Sequence, residues 1–421
     1  MRVIPGEAHS AEGRGFIRRA SARQKSLFAP QQRRGWVVRA KIAFGDFLTP
    51  SIFRIASRCS PGVTHGVGFA CQLALALLIT TPCLAADWDK KLLNESVAKA
   101  GALPRLHALI IARDGVPVVE RVFRGPSLDT PVNIKSESKT IIDALVGIAM
   151  DRGLLPATDS PMLPLLAKRT PPDADPRLGG ITLDHLLSMR AGLERTSGRQ
   201  NYGRWVNSPN WVSFALTRPF YDRPGGMMLY STGNTHLLSA ILTDASGKST
   251  LELARDWLGA PLHIAIPTWT RDPQGIYFGG NEMSLSPHAL LRFGEMFRNG
   301  GSYDGVRVLP QNWIAASWTA RTHDRHNDGY GYGWFISEAH GHPIYYAWGF
   351  GGQMLYVIPS LALTIVVTSD STAPFIETDY HCALQTLVAD GFIPAAIGHT
   401  PENTDSTAAN HGCHVVPGFP T

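Results

Sequence analysis

Residues 136–150 read SESKTIIDALVGIAM, and apolar or small side chains cover nearly every face of this stretch after its first turn. A helix with this pattern is surrounded by protein on all sides. Ser136 and Lys139 lie three residues apart, so the helix places a hydroxyl and an amine on one face. The stretch predicts a buried helix that presents a candidate nucleophile beside a candidate base.

Two readings of Ser136 stay open on spacing alone. Serine is favoured as the cap of a helix N-terminus, where its hydroxyl accepts a backbone N–H. The same spacing also arises by chance, as at Ser96 and Lys99. In the other reading, Lys139 is partly withdrawn from water and either acts in its neutral form as a proton acceptor for the serine or tunes a neighbouring group.

Runs rich in β-forming residues lie on both sides of this helix. Residues 106–112 and 116–123 are joined through Asp114-Gly115, a pair typical of a tight hairpin turn. Residues 153–280 are punctuated by Pro and Gly and are mostly helical in pattern. Strand patterns return at residues 333–336, 344–348, 353–358 and 363–368, and a helical pattern follows at 378–390.

This order of elements predicts an α+β fold, with an antiparallel sheet built from both ends of the chain, flanked by helices, and an inserted mostly helical region. We expect the site in a cleft between the sheet and the inserted helices. Residues 87–392 are expected to form this domain. Residues 393–421 become polar and turn-rich after Pro394, so we expect a poorly ordered tail there.

Residues 1–86 differ in composition from the rest of the chain. Residues 1–60 carry twelve Arg or Lys against three acidic residues, so the pI of about 9.0 belongs to this arm and gives no reason to expect nucleic-acid binding. The uncharged run VGFACQLALALLIT at 67–80 has the length of a signal-peptide core and is short for a bilayer-spanning helix. Small residues at Ala85 and Ala86 fit a cleavage site.

These features predict a basic arm with a signal peptide, and therefore a periplasmic or secreted protein. An uncleaved anchor that holds the protein on the periplasmic side of the membrane is one alternative. A buried core helix is the other.

Several familiar catalytic and metal-binding motifs are absent from the sequence. It contains no Gly-x-Ser-x-Gly elbow, no His-Glu-x-x-His and no phosphate-binding Gly-x-x-x-x-Gly-Lys-Ser/Thr. Only Cys382 and Cys413 lie beyond residue 86, and they either pair or remain free thiols. We expect no metal and no organic cofactor.

Two further elements carry candidate site residues. The segment PGGMMLYSTGN at 224–234 places Tyr230 where a loop enters a helix, although tyrosines in such places are commonly packed aromatics. The segment AWGFGGQ at 347–353 lies between predicted strands. Its glycines either let the backbone approach a ligand or simply form a turn.

In order and spacing, these elements and the SESK motif resemble the serine β-lactamase and penicillin-binding-protein superfamily. The resemblance is to its class C-like branch, which also holds esterases and 6-aminohexanoate-dimer hydrolases. Supporting stretches are ITLDHLLSMRAGL (181–193), DPQGIYFGGNEMSLSP (272–287) and GYGYGW (329–334). The resemblance spans about residues 106–390 and implies a β-lactamase/transpeptidase-like fold.

The resemblance also implies a role for each matching residue. Ser136 is the acylated nucleophile, Lys139 is its amine partner, and Tyr230 matches the tyrosine of the family's Tyr-x-Asn motif and takes the serine proton. The backbone N–H groups of Ser136 and Phe350 form the oxyanion hole. The positions expected to bind substrate are Thr232, Trp348 and Gly349.

Two departures from the family pattern change the expected substrate. Thr232 stands where the motif has asparagine. Ala347 stands where the family's Lys-Thr-Gly triplet has its lysine, the cation that would hold the carboxylate of a β-lactam or peptide.

The resemblance therefore implies an exported serine hydrolase that acts through an acyl-enzyme on a small-molecule ester or amide. A β-lactamase or D,D-peptidase acting on cell-wall-like substrates is one alternative, and a non-catalytic penicillin-binding-like protein is another. We expect no nucleic-acid partner, and a membrane partner only if the leader is an uncleaved anchor.

Overall fold

An eight-stranded antiparallel sheet forms the centre of the computed structural model, which describes residues 87–372 and 377–398. The strands of the described residues are β1 (Leu106–Arg113), β2 (Val116–Val122), β3 (Val132–Asn133), β4 (Ser284–Leu285), β5 (Ser302–Tyr303), β6 (Val306–Arg307), β7 (Thr322–His323), β8 (Gly329–Tyr330), β9 (Phe335–Ala339), β10 (His342–Gly349), β11 (Gln353–Ile358) and β12 (Leu363–Ser369).

The order of strands in the large sheet is β2-β1-β12-β11-β10-β9-β8-β7. Strand β1 pairs with β12, so that Leu106 lies opposite Ser369 and Arg113 opposite Leu363. The two ends of the folded chain therefore meet inside one sheet, which confirms the expected fold class.

Helices cover both faces of the sheet. They are α1 (Lys90–Ala102), α2 (Ser138–Asp151), α3 (Leu183–Leu187), α4 (Arg199–Val206), α5 (Trp211–Leu216), α6 (Thr232–Ser246), α7 (Thr250–Ala254), α8 (Ala260–Leu262), α9 (Pro287–Arg298), α10 (Gln311–Ser317), α11 (Glu377–Thr386) and α12 (Ile393–Ile397). Helices α3 to α8 form the inserted region that the sequence predicts.

Alternate residues of the central strands enter two separate cores. Ile110 and Val366 pack with α2, α6 and α9 on one face, whereas Ile111 and Ile365 pack with α1 and α12 on the other. Because both faces are covered, β11 and β12 are buried along their whole length. This explains why they read as nearly continuous apolar runs rather than as alternating ones.

The hairpin predicted at Asp114-Gly115 is confirmed. Both residues have positive φ, 52° and 75°, as a type I′ turn between twisted antiparallel strands requires. Strand β9, in contrast, begins at Phe335 rather than at 333 as expected. Gly333 has φ of 74°, a conformation outside the strand region, and this delays the strand.

The poorly ordered tail was expected to begin at residue 393, but the folded structure continues past that residue. Residues Ile393–Ile397 form α12, in which Ile393 and Ala395 are fully buried beside α1. Apolar burial thus extends the fold at least to Ile397. The predicted leader and the remainder of the predicted tail lie outside the described residues.

Cys382 of α11 is part of a disulfide, and Cys413 lies outside the described residues. Among the helices of the described residues, none combines the length and the apolar character needed to cross a bilayer.

Candidate active site

Ser136 lies in a short 3₁₀ turn, Lys135–Glu137, that leads directly into α2. The N-cap residue of α2 is Glu137, so Ser136 is not the cap of this helix. Lys135 has φ of 51°, a left-handed conformation that costs a non-glycine residue free energy. Its neighbours must therefore hold the turn in place.

Two side chains stabilise this turn. The backbone N–H of Lys135 donates to Asn133 Oδ1 at 2.9 Å, and its ammonium lies 3.2 Å from Glu282 Oε1. Asn133 Nδ2 donates to the other oxygen of Glu282 at 2.6 Å. The arrangement fixes the residue just before the candidate nucleophile. Sequence reasoning did not identify Asn133 and Glu282, because they come from separate segments of the chain.

Lys139 brings its amine to the serine hydroxyl. Its Nζ donates to Ser136 Oγ at 2.9 Å and to the backbone carbonyl of Gly280 at 2.8 Å, and the residue is only 2% exposed. Burial lowers the pKa of Lys139 to about 7, because an ammonium ion loses hydration there. Near neutral pH a large fraction of the amine is therefore neutral and able to accept a proton.

The carbonyl that holds Lys139 requires a glycine. Gly280 has φ of 86°, and a Cβ built on it would lie 2.8 Å from Lys139 Cγ. A side chain at this position would push the amine away from the serine. Among residues 272–287, the Gly-Gly pair at 279–280 was the available sequence signal for this contact.

The Tyr230 ring lies against the same amine. Its centroid is 4.9 Å from Lys139 Nζ, a distance at which an ammonium ion is attracted to the ring face. On its other sides the ring stacks on Phe335, with centroids 6.2 Å apart, and meets the edge of Tyr330. The Tyr230 ring thus lies against the Lys139 amine, and its role as the acceptor of the serine proton stays a prediction.

The glycine-rich segment after β10 also approaches the nucleophile. Gly352 N–H donates to Gly349 O at 3.1 Å, and Gly351 has φ of 84°, so the chain makes a tight turn around Phe350. A Cβ on Gly349 would lie 2.3 Å from the carbonyl of Ile134, two residues before Ser136. The backbone of this turn is therefore close to the nucleophile, and the oxyanion pair of Ser136 and Phe350 stays a prediction.

The remaining candidate positions differ in how far they are open to a ligand. Ala347 is 1% exposed and packs in the core, so this position does not open into solvent. Trp348 is half-buried beside Phe335, at 5.9 Å between ring centroids. Thr232 is buried, and its hydroxyl lies 3.0 Å from that of Ser197 in the inserted region. Substrate contact by Trp348, Gly349 and Thr232 stays a prediction.

A buried carboxyl directly follows the candidate nucleophile, Ser136. Glu137 is 2% exposed, and neither of its carboxyl oxygens has a hydrogen-bond partner among the described residues. Burial raises the pKa of Glu137 well above its ordinary value, because a carboxylate loses its hydration there. The hydroxyl of Tyr356 is likewise buried without a hydrogen-bond partner. The charged residue within SESK was a visible signal, but its burial was not predictable from the spacing.

The chain is similar to known proteins both in sequence and in fold. The sequence model of the beta-lactamase family matches residues 104–385. A Bacillus anthracis protein provisionally described as a 6-aminohexanoate-dimer hydrolase superposes with a TM-score of 0.56 at 19% identity, over 73% of this chain and 81% of that one.

Two further solved structures give similar values. An octameric penicillin-binding protein homologue from Pyrococcus abyssi has a TM-score of 0.56 at 19% identity, over 71% of this chain and 77% of that one. EstCE1, a hydrolase with promiscuous acyltransferase activity, superposes with a TM-score of 0.56 at 16% sequence identity, over 71% of this chain and 97% of that one. At these low sequence identities, the structural similarity shows that this chain shares the fold of these proteins.

We predict that Glu137→Gln stabilises the protein, and that the gain grows as pH rises from about 5 to 8. The unfolded carboxyl ionises near pH 4.3, whereas burial raises the pKa of the folded one, so the wild type loses stability as pH rises from the lower pKa towards the higher one. Glutamine cannot ionise and removes that loss. Urea unfolding at both pH values measures the effect.

Glu95→Gln on the exposed side of α1 is the matched control, and its effect should not grow with pH in this way. A Glu137→Gln gain that is the same at both pH values would contradict a neutral buried carboxyl.

Proposed function

This chain belongs to the beta-lactamase family, and from its site we propose that it is a serine hydrolase that forms an acyl-enzyme on ester or amide bonds. The observation that carries the proposal is the 2.9 Å contact between Ser136 Oγ and the buried amine of Lys139. A lysine whose pKa is lowered to about 7 can take the serine proton at neutral pH, which an ordinary lysine cannot.

The proposed reaction begins when Ser136 Oγ attacks the substrate carbonyl carbon and its proton passes to the Lys139–Tyr230 pair. The negative oxygen that forms is stabilised by the N–H groups of Ser136 and Phe350. Collapse of the tetrahedral species breaks the ester or amide bond, and the leaving group receives the proton. A water molecule, deprotonated by the same pair, then attacks the acyl-enzyme. The bond between the acyl carbon and Ser136 Oγ breaks, the proton returns from the pair to Oγ, and the acid is released.

Neutral substrates are favoured by the surroundings of the site. The family's cationic anchor is replaced by Ala347, which is buried and cannot contact a carboxylate. Beside it stand the half-buried indole of Trp348 and the side chain of Phe350, which is 45% exposed. Apolar surfaces of this kind bind an acyl chain or an uncharged leaving group. We therefore propose an esterase or amidase rather than a β-lactamase.

We also propose that the enzyme is exported. The support for this is the apolar run at residues 67–80 and the small residues that follow it, all of which lie outside the described residues. In the periplasm or outside the cell, its partner would be a small ester or amide.

Replacing the nucleophile tests the proposal directly. Ser136→Ala should lower hydrolysis of p-nitrophenyl acetate by more than about a thousandfold, because it removes the covalent route. Ser96→Ala, in the chance Ser-x-x-Lys match on α1, should retain wild-type activity. Of the two variants, only Ser136→Ala should lose labelling by a fluorophosphonate. A protein that is never labelled would instead be a non-catalytic binding protein.

The pH dependence of kcat/KM for a neutral ester should show an acid limb near pH 7. The Lys139–Tyr230 pair must lose one proton before it can accept that of Ser136, and burial places this step at about 7 for Lys139. Activity should therefore rise as pH increases through 7. Steady-state rates between pH 5 and 9 measure the limb. A limb near pH 10 would show that Lys139 titrates as an ordinary lysine.

Substrate preference distinguishes the proposed activity from its nearest alternative. The value of kcat/KM should be higher for p-nitrophenyl butyrate than for benzylpenicillin, because Ala347 offers no positive charge to the penicillin carboxylate. Both are measured on the same enzyme preparation. A higher value for benzylpenicillin would assign the protein to the β-lactamases.

A further inference from the structure

A fully buried histidine–carboxylate pair lies behind the candidate active site. His236 of α6 and Asp272 have side chains that are 0% exposed, and His236 Nε2 lies 3.0 Å from Asp272 Oδ2. The imidazole is surrounded by the rings of Trp205, Trp211 and Phe278, with centroids between 5.5 and 6.0 Å away. A polar pair in such apolar surroundings is costly unless every polar atom is satisfied.

The partners of the imidazole fix its protonation. Its Nδ1 accepts the backbone N–H of Gly279 at 3.3 Å, so the proton of the neutral ring is on Nε2 and is donated to Asp272. Burial lowers the pKa of His236. The hydrogen bond and negative charge of Asp272 raise this pKa, and the positive charge of Arg169 lowers it further. Arg169 is itself paired with Asp244 at 2.6 Å.

Gly279 connects this pair to the catalytic amine. It immediately precedes Gly280, whose carbonyl accepts the hydrogen bond of Lys139 Nζ at 2.8 Å. A Cβ on Gly279 would lie 2.2 Å from the carbonyl of Thr235, so the segment is pressed against α6 beside His236. This two-residue segment thus contacts the histidine through the backbone N–H of Gly279 and the lysine through the backbone carbonyl of Gly280.

We propose that His236 and Asp272 are positioning residues for the reaction: Asp272 fixes the tautomer of His236, which holds the N–H of Gly279 and thereby the adjacent Gly280 carbonyl that keeps Lys139 against Ser136. The inference rests on the proposed function. It gives the inserted helical region a role in positioning the Lys139 amine, in addition to covering the cleft.

Asp272→Asn tests the tautomer without changing side-chain volume. The amide NH₂ would face Nε2 and move the ring proton to Nδ1, where it would oppose the N–H of Gly279. We expect kcat/KM for p-nitrophenyl acetate to fall by about tenfold or more, a part of what a positioned acid–base group supplies. The acid limb should move down by about half a pH unit, because a displaced Gly280 carbonyl would no longer stabilise the charged form of the Lys139 amine.

Two substitutions of His236 separate its two contacts. Asparagine places its amide oxygen near the position of Nδ1 and can still accept the N–H of Gly279, whereas glutamine places its amide nitrogen near Nε2 and serves only Asp272. His236→Asn should therefore keep kcat/KM within about threefold of wild type and keep its acid limb, and His236→Gln should behave like Asp272→Asn.

Glu295→Gln is the control for lost stability alone. Glu295 is a buried carboxylate on α9 that accepts from Thr364 and pairs with Arg298, away from the site. It should lower the melting temperature without moving the acid limb. An Asp272→Asn variant that is less stable but keeps the wild-type limb would show a purely structural pair and overturn the inference.

His236→Asn that is as impaired as His236→Gln would overturn the acceptor role of Nδ1. Failure of the proposed function gives a different result whatever the behaviour of the Asp272 and His236 variants, since either Ser136→Ala would retain turnover or the wild type would show neither turnover nor fluorophosphonate labelling.

Discussion

The Lys139 amine reaches Ser136 from a position that is almost closed to water, and the rest of the site is arranged around this contact. An exposed lysine would stay charged at neutral pH and could not accept a proton. Withdrawing it from water removes that difficulty but leaves its N–H groups in need of partners. The serine hydroxyl and the carbonyl of Gly280 supply them. The site is therefore a solution to the problem of burying an amine while keeping it reactive.

Four consecutive residues, 136–139, meet four different requirements. Ser136 and Lys139 face each other, and the hydroxyl of Ser138 donates to the carbonyl of Lys135 at 2.6 Å. The carboxyl of Glu137 is buried and has no hydrogen-bond partner within the part of the chain that the structure describes. The backbone changes from a 3₁₀ turn to an α-helix after Glu137, so the four side chains leave it in different directions. A buried neutral carboxyl beside a nucleophile is destabilising, so this part of the chain trades stability for its geometry.

The sequence predicted the parts of this arrangement that depend on neighbouring residues. Ser136 and Lys139 are one helical turn apart, and Asp114-Gly115 is a turn defined by its own two residues, so local spacing was enough for both. The contact of Lys139 with Gly280 and that of Lys135 with Glu282 join segments far apart in the chain, and no local pattern encodes them. Strands of two residues, such as β7 and β8, are likewise too short to show a period. The tail boundary failed because the short apolar stretch of α12 was outweighed by the polar residues after it.

The pairing of β1 with β12 has a consequence for how the molecule is made. Residue 106 lies opposite residue 369, so one side of β1 has no strand beside it until nearly the whole domain has left the ribosome. Until then only the hairpin with β2 can form, and a two-stranded hairpin is at best marginally stable in water. Closing so long a loop makes sheet formation slow and leaves apolar edges open to aggregation in the meantime. Folding of the central sheet therefore waits for β12, the last strand among the described residues.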